Sequence, residues 1–396
     1  MSKNKTKFGI YAIQTLLYMQ VVLSILLASI SEVFPDAPIL MVQLVFNIAL
    51  FAYFLASFVA SMLTRIMTKK IILMAGAILL ALGGVIPLFL QSSIIFFILS
   101  GALIGMGCGV MEPINATYVH EKFSGDEAER TLGIGYAVAG LGGMVFIQLA
   151  AVLAEKNWIH GYYVMLAAVP VLLIITVCLP NNGRIEKKTE KSGKATPFTK
   201  SMVLILAVFA GYSVFQGTLL NNLSFLLEEE GVGSVSLAGS AAMLYSGGGV
   251  VAGLVAERIE KILKKSIFGV VCLINLAGML LPLLSLSSFS IVTASVLCGF
   301  GCALFTVICL AYVPELVRYN ELAIAPGTTA VLIIFNLATF VSAAIVNNLT
   351  VLFLPDKAIS RFVISVIGMA IMAVIAFIVQ LYLSKSVKSS NQEEQQ

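Results

Sequence analysis

Twelve long apolar stretches make up most of the sequence, and a lysine-rich polar segment divides them six and six. An α-helix needs about 20 apolar residues to cross the roughly 30 Å hydrocarbon core of a bilayer. The stretches lack the alternating polarity of barrel strands and therefore predict helices. The predicted spans are 8–31, 39–63, 71–91, 94–119, 131–154, 160–180, 201–227, 236–257, 266–286, 289–313, 323–353 and 358–384. Because only 11% of the residues are charged, we predict an all-α membrane protein rather than a soluble globule.

The positive charges predict the orientation of these helices. With the N-terminus in the cytoplasm, 21 of the 24 Lys and Arg residues face the cytoplasm, and Lys156, Lys357 and Arg361 fall outside. This asymmetry follows the positive-inside rule and places both termini in the cytoplasm. The net charge of +4 then comes from basic residues on the cytoplasmic side, where they face anionic lipid headgroups. It does not indicate nucleic-acid binding. We expect a functional monomer in the cell membrane as a multi-pass protein.

An internal repeat relates the two groups of helices. Residues Gly105–Val119 (GMGCGVMEPINATYV) match Gly299–Val313 (GFGCALFTVICLAYV), 194 residues further on, in their glycine pairs, cysteine and terminal Tyr-Val. We predict two six-helix bundles, 1–180 and 201–385, joined by a basic cytoplasmic linker, 181–200, and followed by a polar tail, 386–396. Parallel repeats of this kind predict a substrate site near the bilayer midplane, between the halves.

A motif after the eighth predicted helix carries a family resemblance. Gly253–Arg258 reads GLVAER and is similar to the G-x-L-A-D-R signature of the major facilitator superfamily of secondary transporters. Helix count, cytoplasmic termini and the basic central loop also resemble that family. The first-half copy departs from it at Ser61 and Arg65, and the fifth helix lacks the proline of the drug-antiporter motif. The resemblance implies two pseudo-symmetric bundles and transport by alternating access.

The same resemblance implies a pair of cytoplasmic gates. In the family, the acid of this motif faces the N-terminus of the fifth or eleventh helix, where the helix dipole favours negative charge. We therefore expect Glu257 to pair with Arg130, and Arg65 with Glu321, which would latch the cytoplasmic side in the outward-open state. The alternative is four separate solvated charges, which contribute little to stability.

One acidic residue lies well inside a predicted span. Glu112 precedes Pro113 in the fourth helix, some 18 residues from its outer end, or roughly 27 Å at 1.5 Å per residue. A carboxyl group at that depth is costly and nearly always faces a cavity or a partner. We predict that Glu112 couples protons or binds substrate, and the alternative is a structural hydrogen bond or a pair with Arg65 or Arg130. Because proline has no N–H, Pro113 should also free a carbonyl one turn earlier for a polar contact.

Uncharged polar residues in several spans predict a cavity for a neutral or zwitterionic solute, bound by hydrogen bonds and aromatic stacking. Helix–helix contact is the alternative for each of them. The candidates are Gln14, Tyr18, Gln43, Asn47, Asn115, Tyr212, Gln216, Asn221, Asn222, Tyr245 and Asn336. No Lys or Arg lies deep in a predicted span, so a pocket for a strongly anionic substrate is not predicted.

The function that these patterns favour is secondary active transport of a small organic solute, coupled to protons. A drug or metabolite efflux antiporter is the first alternative, and a membrane sensor or an intramembrane enzyme is the alternative from another class. We expect no enzyme activity, cofactor or metal. The sequence contains no nucleotide-binding loop, no residues at the spacing of metal ligands and no nucleophile paired with a base.

Overall fold

The computed structural model describes residues 3–64, 66–124, 126–180, 199–263, 266–317 and 321–393, and within these ranges the regular structure is entirely helical. The helices, numbered in chain order, are α1 (in pieces Lys3–Gln14, Met19–Val21, Val22–Ile25 and Leu27–Val33), α2 (Ile39–Leu63), α3 (Lys69–Phe89), α4 (Ile94–Lys122), α5 (Asp126–Ala154), α6 (Trp158–Ala167 and Ala168–Cys178), α7 (Lys200–Gln216 and Thr218–Glu229), α8 (Val235–Leu263), α9 (Ile267–Leu284), α10 (Ser288–Leu316), α11 (Glu321–Phe353) and α12 (Ala358–Glu393).

These helices confirm the predicted all-α membrane fold. Twelve of them, in the part of the chain that is described, are long and apolar enough to cross a membrane. Large exposed side chains such as Leu173, Leu254 and Phe289 are apolar, as a surface that faces lipid requires. The cytoplasmic location of both termini stays a prediction. Residues 181–198 of the predicted linker and the last three residues of the predicted tail lie outside the described ranges.

Serine caps begin the two helices that carry the sequence repeat. The Ser93 side chain accepts a hydrogen bond from the Ile95 amide at the start of α4, and the Ser287 side chain accepts one from the Ser290 amide at the start of α10. Such a cap satisfies one of the amides that a helix N-terminus leaves without a partner. The two caps are 194 residues apart, which is the offset of the repeat.

Glycines of the repeat allow close helix packing within each part of the chain. A Cβ atom at Gly105 would lie 2.0 Å from the Ala49 carbonyl oxygen of α2, and one at Gly299 would lie 1.9 Å from the Tyr245 carbonyl oxygen of α8. Both helices therefore approach a neighbour at a distance that only glycine permits. The matched glycines of the repeat thus have the same packing role in α4 and α10.

The chain separates into two compact units. Unit 1 comprises Met1–Glu190 with Leu223–Met243, and unit 2 comprises Lys191–Asn222 with Leu244–Gln396. In unit 1, α4 packs along α2 and α3, while the first piece of α1 packs against α5 and α6. In unit 2, α9 packs against α10 and α12, and the first segment of α7 packs against α11 and α12. One boundary of these units falls between Glu190 and Lys191, within the predicted 181–200 linker, and the other two fall inside α7 and α8. The predicted bundles 1–180 and 201–385 stay a prediction.

Candidate functional site

An interruption in α1 brings polar side chains into the interior of unit 1. The first piece of α1 ends at Gln14, and the 3-10 turn begins at Met19. Between them, Leu17 N–H bonds to the Gln14 carbonyl at 3.2 Å and Met19 N–H to the Leu16 carbonyl at 3.2 Å, which is the i to i−3 spacing of a tighter winding. Gln14 is buried and Tyr18 is half-buried at this interruption.

Glu112 lies on α4 among phenolic side chains from two other helices of unit 1. It is half-buried, and its carboxyl group interacts electrostatically with Tyr18 of α1 and with Tyr136 of α5. None of the basic side chains in the described ranges forms an ion pair with it. Arg65, one of its two predicted structural partners, lies outside those ranges. The structure therefore groups Glu112 with two hydroxyl groups that can donate hydrogen bonds to a carboxylate.

Pro113 has the predicted effect on the backbone of α4. Because proline has no N–H, the Gly109 carbonyl one turn earlier lacks its usual helical donor. The Ser57 hydroxyl of α2 donates to that carbonyl oxygen at 2.9 Å. The contact fixes α2 to α4 just before Glu112 and confirms the polar contact expected from the proline.

Two amides of unit 1 accompany Glu112. The Asn115 side-chain nitrogen donates to the Ile10 carbonyl at 3.4 Å, and a Cβ atom at Gly135 of α5 would lie 2.8 Å from the Gln14 side-chain nitrogen. Among the described residues, the amide oxygens of Gln14 and Asn115 have no hydrogen-bond partner, although both are buried. A buried acceptor without a donor is costly, so a hydrogen-bond donor at either oxygen would lower the energy of this region.

The other polar candidates in unit 1 lie on α2. Gln43 and Asn47 are buried, and the Asn47 side-chain nitrogen donates to the Gln43 carbonyl at 3.0 Å within the same helix. Bonds of this i to i−4 kind satisfy an amide without any second helix. The role of both residues in a cavity stays a prediction.

Unit 1 also contains a cavity of about 250 Å³ that no predicted site residue lines. Its wall carries the carboxyl groups of Glu32, Glu155 and Glu228, and Glu228 is hydrogen-bonded to Glu32. Ser224 beside it donates to the Ser24 carbonyl at 3.3 Å. The three carboxyl groups give this cavity an acidic wall.

In unit 2, polar side chains from α7, α8, α9 and α10 form short hydrogen-bonded chains. The Gln216 side-chain nitrogen donates to the Tyr245 hydroxyl, and Tyr245 shares a hydrogen bond with the Cys302 thiol. The Asn275 side-chain nitrogen donates to the Tyr212 hydroxyl at 2.7 Å. These bonds bring together three predicted candidates and two residues, Asn275 and Cys302, that were not predicted.

An aromatic stack adjoins these bonds in unit 2. The Tyr212 and Phe305 rings have centroids 4.3 Å apart and an interplanar angle of 24°, and Phe209 stacks on Phe305 at 5.2 Å. Stacked rings of this kind hold one another in place, and all three are fully buried. Tyr212 thus presents a hydroxyl group whose position is fixed both by Asn275 and by the stack.

The three remaining amide candidates mostly bond to their own helices. The side-chain nitrogens of Asn221, Asn222 and Asn336 donate to carbonyls four residues earlier, at 2.9, 3.1 and 2.8 Å. Asn222 also accepts a hydrogen bond from Arg361 of α12 at 3.1 Å. Their contribution to a solute site stays a prediction.

Arg361, one of the three basic residues predicted on the outer side, is buried, which the sequence did not indicate. It lies in the first turn of α12, within a membrane-spanning segment, and only 1% of it is exposed. A hydropathy pattern cannot detect such burial, because a charge near a helix end usually extends toward water. Tyr136 and Asn275 were also missed, since a single sequence does not tell which face of an apolar helix is turned inward.

The predicted cytoplasmic gates are not tested by these contacts. Glu257 forms an ion pair with Lys261 of its own helix, Arg130 is exposed, and neither Arg65 nor the side chain of Glu321 is among the described parts. The pairs Glu257–Arg130 and Arg65–Glu321 stay predictions.

Other ion pairs join helix ends in unit 1. Glu127, which precedes the membrane-spanning part of α5, bonds to Lys3 at 2.8 Å and to Lys7 at 2.9 Å, and these two hydrogen bonds hold the pKa of its carboxyl below the usual value. Lys69 at the start of α3 is buried and pairs with Glu121 at the end of α4. Within the described ranges, three or more His, Cys, Asp or Glu side chains do not gather as a metal site would.

Twelve apolar helices, with buried amides and phenols and the half-buried Glu112 in their membrane-spanning parts, define a multi-pass membrane protein. The chain belongs to the Major Facilitator Superfamily, whose family model matches residues 9–345. It is therefore a secondary transporter. Among curated proteins, nothing matches this chain.

Solved transporter structures share its fold at low sequence identity. A bacterial homolog of the human lysosomal transporter Spinster has a TM-score of 0.73 at 15% identity and covers 97% of this chain and 99% of its own. A structure of proton-dependent oligopeptide transporters has a TM-score of 0.70 at 11% identity, covering 96% and 97%. The nucleoside transporter NupG has a TM-score of 0.73 at 11% identity, covering 94% and 98%.

Proposed function

We propose that this protein transports a neutral or zwitterionic small organic solute across the cell membrane by alternating access, coupled to protons through Glu112. The observation that carries the proposal is the position of Glu112, half-buried in α4 beside Tyr18 and Tyr136 and without an ion pair among the described residues. Carboxyl groups inside membrane spans are costly to keep and occur where ions or protons move.

A change of protonation at Glu112 alters the charge of this group of side chains. In a medium of low dielectric constant, adding or removing one charge has a large effect on the energy of nearby groups. The two phenols can donate to the carboxylate, whereas a protonated Glu112 can itself donate to an acceptor. Unit 1 also contains buried amide oxygens without a donor, those of Gln14 and Asn115. Protonation of Glu112 would therefore change the balance of donors and acceptors in this unit.

The chemistry of unit 2 supports an uncharged or zwitterionic solute. Gln216, Tyr245, Tyr212 and Asn275 offer amide and hydroxyl groups, and the Asn275 side-chain oxygen has no partner among the described residues. Two of the similar structures carry names that refer to oligopeptides and to nucleosides. Both are classes of solute that bind through hydrogen bonds and stacking, which is the kind of binding that this cluster supports.

The experiment is solute accumulation and counterflow in proteoliposomes, with and without a pH gradient, using a panel of peptides, nucleosides and amino acids. The proposal expects accumulation of one class that requires the pH gradient, and its direction distinguishes symport from antiport. Glu112→Gln should retain counterflow but lose gradient-driven accumulation. Glu127→Gln, which removes a carboxylate outside the membrane span, is the matched control and should accumulate solute as the parent protein does. If Glu112→Gln accumulates solute like this control, Glu112 is not the coupling group.

A further inference from the structure

Helix α7 is interrupted at Gly217, and a serine of α11 satisfies the backbone there. The Ser342 hydroxyl donates to the Val214 carbonyl, three residues before Gly217. A Cβ atom at Gly217 would lie 2.7 Å from that hydroxyl oxygen, so a larger residue would displace Ser342. Such a combination of glycine and a serine-capped carbonyl permits a helix to change direction. The second segment of α7 therefore begins at a point where the backbone can bend.

The first turn of that second segment is bound to α12 by two polar contacts. The Thr218 and Ser365 hydroxyls lie 2.6 Å apart in a hydrogen bond, and Arg361 donates to the Asn222 side-chain oxygen at 3.1 Å. Positions 218 and 222, and likewise 361 and 365, are four residues apart and so lie on one face of each helix. The two contacts form successive steps along the same pair of helices.

Arg361 is the charged member of this arrangement. Its other terminal nitrogen pairs with Asp356, whose side chain is half exposed in the loop before α12. Its Nε atom is buried and has no partner among the described residues. An arginine always carries its charge, and a buried charge is costly unless paired. The guanidinium therefore depends on Asp356 and Asn222, and the loss of either partner is costly.

The boundary between the two compact units falls immediately after Asn222. Arg361 thus binds α7 at the last residue that belongs to unit 2. We propose that Arg361 is a positioning residue of the transport cycle, which holds residues 218–222 against α12 and sets the rate of the conformational step through its bond to Asn222. This inference rests on the proposed alternating-access function.

Transport kinetics per folded molecule test the proposal. Arg361→Gln loses the charge and the forked geometry, and Arg361→Lys keeps only the charge. We expect Arg361→Gln to lower the maximal rate about fivefold and to change KM by less than about twofold, since a positioning contact acts on the conformational step rather than on solute binding. Arg361→Lys should recover part of the rate. Lys357→Gln removes an exposed positive charge just before α12 and should keep the parent rate.

Hydrogen–deuterium exchange of residues 217–222 provides a second reading that needs neither solute nor pH gradient, so it stays informative if proton coupling fails. Exchange of these residues should be faster than in the parent protein both in Arg361→Gln and in Asp356→Asn. Asp356→Asn alters only a half-exposed side chain, so it weakens the hold on Arg361 without removing a buried group. Faster exchange with a lower maximal rate supports the proposal. Parent-like exchange, or faster exchange with an unchanged rate per folded molecule, shows a merely structural residue and overturns it.

Discussion

Replacement of Gly105 by alanine should separate α4 from α2 and weaken the fold. The new Cβ atom would lie 2.0 Å from the Ala49 carbonyl oxygen and 2.7 Å from the Ala49 Cα, both part of a backbone that cannot rotate away. Overpacking of a tight contact costs about 1–3 kcal/mol, and backbone contacts belong at the upper end. Helix propensity returns about 1 kcal/mol in going from glycine to alanine. We therefore expect a net loss of about 2 kcal/mol.

Gly133 of α5 supplies the matched control, because no atom lies within 4 Å of a Cβ atom built there. Gly133→Ala should keep only the propensity gain and stabilise the protein by about 0.5–1 kcal/mol. We therefore expect the free energies of unfolding of the two variants to differ by about 3 kcal/mol, which combines the loss in Gly105→Ala with the gain in Gly133→Ala.

Thermal unfolding of purified protein in detergent measures this difference. Five of the six cysteines are buried, so a thiol-reactive fluorophore reports unfolding as they become exposed. Gly105→Ala should unfold at a lower temperature than the parent, and Gly133→Ala at the same or a higher temperature. Because Glu112 lies two turns beyond Gly105 on α4, the first variant should also transport more slowly. Equal unfolding temperatures for both variants would refute the close contact between α2 and α4.

Further predictions concern ion pairs and one hydroxyl group. The bond to Lys3 lowers the pKa of Glu127, so the stability that this bond contributes is present above the usual carboxyl pKa and is lost as pH falls through the lowered value. The amides of residues 3–7 should therefore be less protected in acid, when their exchange rates are divided by the intrinsic rates at the same pH. Protection that does not change with pH would contradict this. Glu121→Gln leaves the buried Lys69 unpaired and should lower the free energy of unfolding by about 3 kcal/mol. Lys69→Met leaves only a partly exposed carboxylate, so it should lower the free energy of unfolding less and unfold at a higher temperature than Glu121→Gln. The reverse order of unfolding temperatures would count against a buried pair. Tyr245→Phe removes the hydroxyl that accepts a hydrogen bond from Gln216. At an unchanged amount of folded protein, KM for the solute should rise about threefold or more. An unchanged KM would exclude this hydroxyl from the solute site.

The helices were predictable from the sequence because length and apolarity are decided locally. A run of about 20 apolar residues has few stable alternatives in a bilayer, and the twelve spans confirm this. The repeat also matched Gly105 with Gly299, and the structure shows that both have the same close contact with a neighbouring helix. Pro113 predicted its own polar contact, because the missing N–H is a property of the residue itself.

The interruptions and the buried arginine were not predictable in the same way. The interruption of α1 after Gln14 contains neither glycine nor proline, so it depends on tertiary packing. Arg361 is held by Asp356 and by Asn222, which is 139 residues away, and an apolar pattern contains no signal for a contact so distant in sequence. Tyr136 approaches Glu112 only once α4 and α5 have packed. Sequence reasoning therefore found the carboxyl group of the site but only part of its surroundings.

The most direct test of proton coupling through Glu112 measures the protons themselves. Proteoliposomes that contain a pH-sensitive dye, with no imposed gradient, are given a solute that the parent protein transports. The account predicts a change of internal pH as solute enters through the parent protein, and none through Glu112→Gln, although this variant still exchanges the solute. Equal proton movement through both proteins would contradict it.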